Sequence, residues 1–557
     1  MSWRTAWKYA GPAYFELTFQ SIYGLRRGNP LPDETPEKLT ARAHRRVLQS
    51  KALVSVVLGL VILASVATLA SSFKSVVAPD LPPALYIAGV LSLTLLAEFS
   101  FLWWTGLQLL PTFLTSGVLP LLETLPIDRR TVDRVATILL FRMFDAPAIA
   151  ALVLTPLAVG LALGSATAGL AILPGVISVI VLATALALET GRFFVRRVQG
   201  AGGGGRRTVL RWTYLVLWAV PALALYAFLA FNGEFFDALQ TLTVSGPAWV
   251  LSLFAAAYPV AFAALPATVP GPHSGAAFPA GFSEPWVAAC AAAYSVLVVV
   301  AAGWIVRRTG GLVREASIAP AEPAEHRPRL VVRPPTFAIL WKDLRTASRT
   351  PGYAFLLLLP VLDATAIGTL SFVASPGPYR VFDLGVAAVS TAALLATFFG
   401  PAFFAVETMA FSYTRTLPLS QRSMLAGKVV LIALVYLVAS GCILLLTGAR
   451  VYSLGVFVLF IAGVLPGVIA AATFEYLLLF RRAWRSGVPI VNLYTAAWYA
   501  AVITIPGVLL TVFPLAVFSV TRGLGDLTGI GWMALLGTAE LACLVPFVLM
   551  LGRRANA

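Results

Sequence analysis

The sequence predicts an all-α, polytopic membrane protein: a bundle of about twelve transmembrane helices in two parallel six-helix repeats, with both termini cytoplasmic. Three observations predict this fold. The chain is 59% hydrophobic and only 11% charged, with a mean hydropathy of +0.87. Apolar stretches near the length of about 20 residues that crosses a bilayer recur along the whole chain. Patterns in the first half also return in the second.

The first fifty residues are polar and basic, so residues 1–50 are predicted to form a cytoplasmic amphipathic segment and not a cleaved signal peptide. Hydropathy then predicts the spans that follow. They cover residues 52–72, 83–105, 136–160, 168–190, 209–231, 285–306, 353–373, 383–408, 429–447, 454–479, 494–517 and 530–551.

The basic residues orient these spans. Of the 40 lysines and arginines, only Lys74, Arg380, Arg450 and Arg522 fall in outer loops when the N-terminus is placed in the cytoplasm, and Arg142 falls well inside a span. Because Lys and Arg accumulate in cytoplasmic loops, both termini are predicted to be cytoplasmic, and the protein is expected to be a multi-pass component of the cell (cytoplasmic) membrane. The net charge of +16 thereby reflects topology, and nucleic acid is not expected as a partner.

One apolar stretch, Gly246 to Val269, does not fit a simple span. It contains Pro247, Pro259 and Pro266, and its flanks carry acidic residues and no Lys or Arg. Both flanks are therefore predicted to lie outside. The stretch is interpreted as re-entrant or interfacial helices.

Two loops predict an internal repeat. Thr124-Leu125-Pro126 and the residues up to Val132 follow the second span, and Thr416-Leu417-Pro418 and the residues up to Met424 follow the eighth. At the same spacing, Leu173-Pro174-Gly175-Val176-Ile177 aligns with Leu465-Pro466-Gly467-Val468-Ile469. Each half has an even number of spans and the same loops inside, so the repeats are predicted to be parallel.

The repeat sets the predicted domain boundaries. The first six-helix half covers residues 51–309 and the second covers residues 336–557, which include a helix preceding the seventh span. Residues 310–335 join the halves. Five prolines among mixed charges make this linker an exposed, semi-rigid tether.

Several functional classes are disfavoured. The three histidines lie outside the predicted spans without a metal-binding or catalytic pattern, and the three cysteines lie in apolar segments without metal-ligand spacing. An enzyme is therefore not expected. The one Gly-Lys pair near a phosphate-loop pattern, Gly427-Lys428, is followed by Val429 and not by Ser or Thr, so this chain is not expected to hydrolyse ATP.

The inner loops resemble those of the type-2 ATP-binding-cassette (ABC) exporter permeases. The stretch from Glu407 through Thr416-Leu417-Pro418 to Gly427-Lys428 is similar to the family's loop between spans two and three. The stretch Phe337 to Arg345 is similar to its helix before the first span. Half one departs from the pattern, with Val135-Ala136 in place of Gly-Lys.

The resemblance implies a permease that exports a substrate with ATP hydrolysed by a separate cytoplasmic ABC ATPase subunit, present in two copies. ATP and Mg²⁺ would be bound by that partner, and no cofactor by this chain. The coupling loops would dock the ATPase, and Gly246–Val269 would form external re-entrant helices near the substrate exit. The implied docking residues are Leu125, Pro126, Arg129, Arg130, Leu417, Pro418, Arg422 and Lys428.

Charged residues within the spans leave alternatives open. Arg142 and Asp145 lie three residues apart on one helix face and are expected to pair with each other; Asp363 and Glu475 are further intramembrane charges. Glu189 is expected to pair with Arg192 or Arg196. Because carboxylates in spans serve as proton relays, an ion- or proton-coupled secondary transporter is the alternative, followed by a non-transporting scaffold or channel. Membrane lipid is an expected partner, and a homo-oligomer is left open.

Overall fold

The computed structural model describes residues 3–19, 36–74, 83–114, 118, 121–122, 128–197, 247–268, 282–318, 334–347, 357–365, 378–401, 420–486 and 500–551. Across these residues the regular secondary structure is helical. The chain divides into two compact units, one formed by Met1–Ser21 with Thr40–Ala324 and the other by Ile22–Leu39 with Glu325–Ala557.

The first unit holds a short N-terminal helix, long membrane-length helices and a pair of short helices. In chain order they are α1 (Trp3–Phe19), α2 (Pro36–Lys74, from Thr40 onward in this unit), α3 (Pro83–Leu114), α4 (Arg129–Ala162), α5 (Ala166–Ala171), α6 (Leu173–Arg197), α7 (Ala248–Ala256), α8 (Val260–Thr268) and α9 (Glu284–Ile318).

The second unit begins with a short helix that precedes its spans. Its labelled helices are α10 (Pro335–Ala347), α11 (Pro378–Phe399), α12 (Gln421–Thr447), α13 (Leu454–Ser486), α14 (Ile505–Thr521) and α15 (Asp526–Leu551). Residues 357–365 are also helical. A π-helical segment, Ala500–Thr504, leads into α14, and a 3₁₀ turn, Arg522–Leu524, follows it.

The predicted all-α membrane bundle is confirmed. Ten helices of the described residues are long and apolar enough to cross a membrane, and a bent pair raises the number of candidate spans to eleven. Of the predicted spans, residues 209–231 lie outside the described part, and residues 353–373 are described only over 357–365. The helix of the sixth span continues to Ile318, so the segment predicted as a linker starts as a helix.

The bent pair is the proline-containing stretch that the sequence set apart. Helices α7 and α8 have nine residues each and meet at 103°. Nine residues of α-helix extend only about 14 Å, and neither helix alone crosses a hydrocarbon core of about 30 Å. Their apolar faces pack on α3 and α9 through Leu251, Val260, Leu85 and Val287. The Tyr294 hydroxyl of α9 donates to the carbonyl of Ala256 at the bend.

Small residues let the helices of the second unit approach closely. Ala388, Ala392 and Ala396 form a buried stripe on α11. A Cβ placed on Gly537 of α15 would lie 2.9 Å from the backbone nitrogen of Gly467 on α13, so α13 and α15 meet backbone to backbone. Lipid tails are as apolar as the side chains, so the hydrophobic effect does not drive helices together within a membrane. Close van der Waals packing of this kind stabilises their association instead.

Candidate functional site

The two loops that the sequence predicts to be repeated and cytoplasmic lead into α4 and α12. Leu125, Pro126, Leu417 and Pro418 lie outside the described residues. The structure describes the loops from the helix caps onward. Asp128 caps α4 by accepting from the backbone N–H of Thr131, and Ser420 caps α12 by accepting from the N–H of Ser423. The aligned positions therefore perform the same local task, satisfying a free amide of the first helical turn.

The cap of α4 carries a fixed negative charge. The Thr131 hydroxyl donates to Asp128 Oδ1 at 2.5 Å, and the Thr131 amide donates to Oδ2 at 3.3 Å. These bonds, the hydroxyl's first, lower the pKa of Asp128. Arg129 and Arg130 follow it with exposed side chains. The first turn of α4 thus presents two cations and one anion to solvent.

Arg422 ties the start of α12 to the end of α15. Its Nη2 atom donates to the carbonyl oxygen of Leu549 at 2.6 Å. The last carbonyls of a helix have no partner within it and carry the negative end of its dipole, so a guanidinium there is favourable. Arg422 is exposed, which leaves the rest of its guanidinium open to a partner.

A buried ion pair joins the helix before the seventh span to α12. Lys428 Nζ lies 2.6 Å from Asp343 Oδ2 of α10, and the two side chains are 0% and 1% exposed. Lys342 approaches the other carboxylate oxygen at 3.8 Å. Lys428 was predicted to dock a partner subunit, and its complete burial corrects that role: it holds α10 against α12 from inside the protein.

The neighbouring glycine permits this contact. A Cβ on Gly427 would lie 2.9 Å from Ile339 Cγ2 and 3.1 Å from the carbonyl oxygen of Thr336, both on α10. Glycine is therefore the residue that lets α10 reach the α12 backbone and lets Lys428 reach Asp343. The Gly-Lys pair thus acts as one packing unit.

In the first unit, the contacts between α1 and α4 differ from the ion pair that joins α10 to α12. The Arg134 guanidinium lies over the ring of Trp3 at 5.4 Å, and the Arg142 guanidinium lies over the ring of Trp7 at 4.7 Å. Val135 and Ala136, which stand where the second half has Gly427 and Lys428, are fully buried. Cation–π contacts thus hold α1 where a buried ion pair holds α10.

Asp145 has a partner other than the predicted one. Its Oδ1 atom accepts from Lys51 Nζ of α2 at 2.6 Å, and Lys51 also donates to the carbonyl of Arg142. The expected Arg142–Asp145 pair is therefore wrong. Arg142 instead stacks on Trp7 and Tyr14, because the packing of α1 places aromatic rings over it.

Glu189 of α6 connects two helices, α6 and α9. It accepts from Arg308 Nε of α9 at 2.9 Å and lies 3.4 Å from Arg192 on its own helix. The expected contact with Arg192 is present. The Arg196 side chain lies outside the described set. Arg308, more than a hundred residues away in sequence, provides the closer cation.

Besides Asp343, three carboxylic acids of the described residues are buried in the membrane-spanning helices or beside them. Glu98 accepts from the Thr155 hydroxyl through Oε1 at 2.5 Å, while its Oε2 has no hydrogen-bond partner among the described residues. Asp363 is buried in the helical segment 357–365. Neither oxygen of Glu475 has a described partner, and both lie where a Cβ on Gly400 or Gly507 would clash.

Metal binding has no support in the described part of the chain, where no group of three or more His, Cys, Asp or Glu side chains could hold an ion.

The sequence did not single out Asp343 or Lys51 as site residues. A lone carboxylate in the amphipathic α10 was the only signal for Asp343, and Lys51 was indistinguishable from an orienting flank charge.

Comparison with models of protein families gives a match to this chain. A family model described as "Membrane protein of 12 TMs" matches residues 51–536. No curated protein and no solved structure matches the chain. The matched region includes both helix caps, Asp128 and Ser420, and the buried pair partners Asp343 and Lys428.

Proposed function

This chain belongs to the family of membrane proteins with twelve transmembrane segments, and we propose that it is the permease subunit of an ABC exporter in the cytoplasmic membrane. In this proposal a separate cytoplasmic subunit, in two copies, binds Mg²⁺ and hydrolyses ATP. The present chain is not itself an enzyme. It converts movement of the partner into rearrangement of its spans.

The observation that carries the proposal is the ion pair between Asp343 and Lys428. Removing two charges from water costs several kcal/mol per ion unless each meets a well-placed partner. Such a pair holds its helices in one relative geometry. Displacement of the loop that ends at Ser420 would therefore move α12 and α10 together, as a coupling element requires.

The surface beside this pair supplies the docking chemistry. Arg422 is exposed five residues before the Gly-Lys pair, and its guanidinium donates a hydrogen bond to the Leu549 carbonyl. In the first unit, Arg129 and Arg130 are exposed beside Asp128. We propose that these arginines contact acidic residues of the ATPase. The second half, with its rigid ion pair, would transmit force more directly than the first.

The test is co-purification and stimulated ATPase activity. We expect a cytoplasmic ABC ATPase to co-purify with the chain and to lose stimulation when Arg422→Glu reverses the docking charge. Arg450→Glu, at an exposed residue of the loop on the opposite side of α12, is the matched control and should leave stimulation unchanged. Equal losses in both variants, or the absence of any co-purifying ATPase, would contradict the proposal.

A second function, proton-coupled secondary transport, is favoured by a specific observation. Glu98 and Glu475 are fully buried, and oxygens of both lack hydrogen-bond partners among the described residues. Buried carboxylates of this kind serve as proton relays in transporters. Purified chain in sealed vesicles distinguishes the two: substrate movement on a proton gradient alone, abolished by Glu475→Gln, would establish this second function and exclude the first.

A further inference from the structure

A cavity in the first unit lies between α1, α2 and α4, beside the predicted start of the first span. It has a volume of about 420 Å³. Leu48, Phe141 and Ile149 form apolar walls, and Lys51, Arg142 and Asp145 contribute the charges. Apolar walls with a few convergent polar groups, at a volume of some 300–1,000 Å³, are typical of ligand sites. We propose that this cavity binds an anionic phospholipid, with the phosphate at Arg142 and part of an acyl chain along the apolar walls.

The charge at the cavity favours an anion. Lys51 and Asp145 are 2.6 Å apart and neutralise each other. Arg142 makes no ion pair among the described residues: its guanidinium stacks on the rings of Trp7 and Tyr14, and the Asp145 carboxylate in the same cavity is bound to Lys51. A guanidinium at membrane depth without a carboxylate is expensive unless it meets an anion. It therefore leaves a positive charge for a ligand phosphate, which guanidinium groups bind through paired hydrogen bonds.

The position of Arg142 suits a lipid headgroup. It lies six residues, about 9 Å, inside the predicted start of the third span at residue 136, a depth from which a long arginine side chain reaches the headgroups. Lys51, its neighbour on α2, directly precedes the predicted start of the first span. Basic pockets between helices on the cytoplasmic side of a membrane are the places where anionic headgroups bind.

The walls favour a lipid over free phosphate. Leu48, Phe141 and Ile149 are 53%, 41% and 58% exposed. On helices that cross a bilayer, exposed apolar side chains face acyl chains. The cavity is therefore continuous with the lipid phase along one side, and a small hydrophilic anion would leave those walls uncovered.

Helix α1 covers the cavity from the interface. Its Trp3, Trp7 and Phe15 side chains are exposed, whereas Ala6, Ala10 and Leu17 are buried. Tryptophan is enriched where a membrane meets water. Trp7 and Phe15 also line the cavity, so the helix would contact the bound lipid while resting at the headgroup level.

Native mass spectrometry of the detergent-purified full chain, incubated with phosphatidylglycerol or phosphatidylcholine, tests the proposal. We expect wild type to retain phosphatidylglycerol preferentially and Arg142→Gln to reduce this retention about tenfold, the usual effect of losing one charge-assisted contact. Arg134→Gln is the matched control, since Arg134 makes the same kind of stacking contact, with Trp3, outside the cavity. Equal retention by both variants would overturn the proposal.

A second variant guards against misfolding of Arg142→Gln. Ala148→Phe places a ring in the cavity wall without changing charge and should lower phosphatidylglycerol retention to a similar extent. Inorganic phosphate is added as a competitor in a parallel sample. Displacement of the lipid by phosphate, with Ala148→Phe behaving as wild type, would identify a phosphate site and overturn the assignment to a phospholipid.

Discussion

Asp343 and Lys428 form an ion pair of 2.6 Å that is shielded almost completely from solvent, joining α10 to α12. The two residues are far apart in sequence, and each would be a buried charge without its closest partner if the other were removed. Breaking such a pair by removing one partner costs about 3–5 kcal/mol, much more than an exposed pair contributes. This contact fixes α10 against α12 in the second unit.

The first prediction concerns this pair. Lys428→Met should lower the stability of the detergent-purified protein by about 3–5 kcal/mol, because it leaves the Asp343 carboxylate buried without its main partner. Adding Asp343→Leu should restore most of the loss, since an apolar pair of similar size needs no charge partner. Thermal unfolding followed by circular dichroism measures both. A double variant no better than the single one would show that the pair is not the source of the loss.

The second prediction concerns the glycine beside Lys428. Gly427→Ala should destabilise the protein by about 1–3 kcal/mol, because its Cβ would meet Ile339 and the Thr336 carbonyl. Gly441→Ala on the same helix is the control, since nothing lies within 4 Å of a Cβ there. The melting temperature should fall for Gly427→Ala alone. Equal shifts would mean that helix propensity, and not the contact with α10, determines the effect.

The third prediction concerns alkaline pH. The Tyr452 hydroxyl, in the loop after α12, donates to Asp526 Oδ2. Burial, followed by this hydrogen bond, raises the pKa of Tyr452 to about 12 from an ordinary value of 10.0. The folded state holds this proton more tightly than the unfolded state, so the contribution to stability is complete below about pH 10 and is lost as pH rises to about 12.

The measurement is a series of melting temperatures across this interval for wild type and Tyr452→Phe. The phenylalanine variant should be less stable at neutral pH and should lose less stability between about pH 10 and 12. Parallel curves for the two proteins would contradict the assignment to Tyr452.

The fourth prediction distinguishes the two possible partners of Asp145. Double-mutant cycles should give a coupling free energy of about 0.5–3 kcal/mol between Lys51→Met and Asp145→Asn, the range for residues in direct contact. The coupling between Arg142→Gln and Asp145→Asn should be smaller, because Arg142 stacks on Trp7. Chemical unfolding in a defined detergent measures all the terms. A larger coupling for Arg142 would restore the pairing expected from spacing alone.

Hydropathy and flank charge were sufficient for the helical bundle and for most of its spans, since both depend on composition over a short stretch of chain. The same applies to the bent helices at 248–268, where prolines and the absence of Lys and Arg marked an irregular segment. The helix caps were not predicted, although Asp128 and Ser420 stand at aligned positions and capping is a contact over three residues.

Spacing along the sequence predicted the contact of Glu189 with Arg192, but it did not predict the closest partners of the other charged residues. Spacing along one helix predicted that Arg142 would bind Asp145, but Lys51, 94 residues away, makes the contact. Lys428 was expected at a docking surface, but its side chain is buried and forms an ion pair with Asp343 of α10. The sequence by itself determined which segments lie in the membrane, because each segment's transfer into lipid depends on its own residues. Only the tertiary structure decided which charges meet, because pairing depends on which helices pack together.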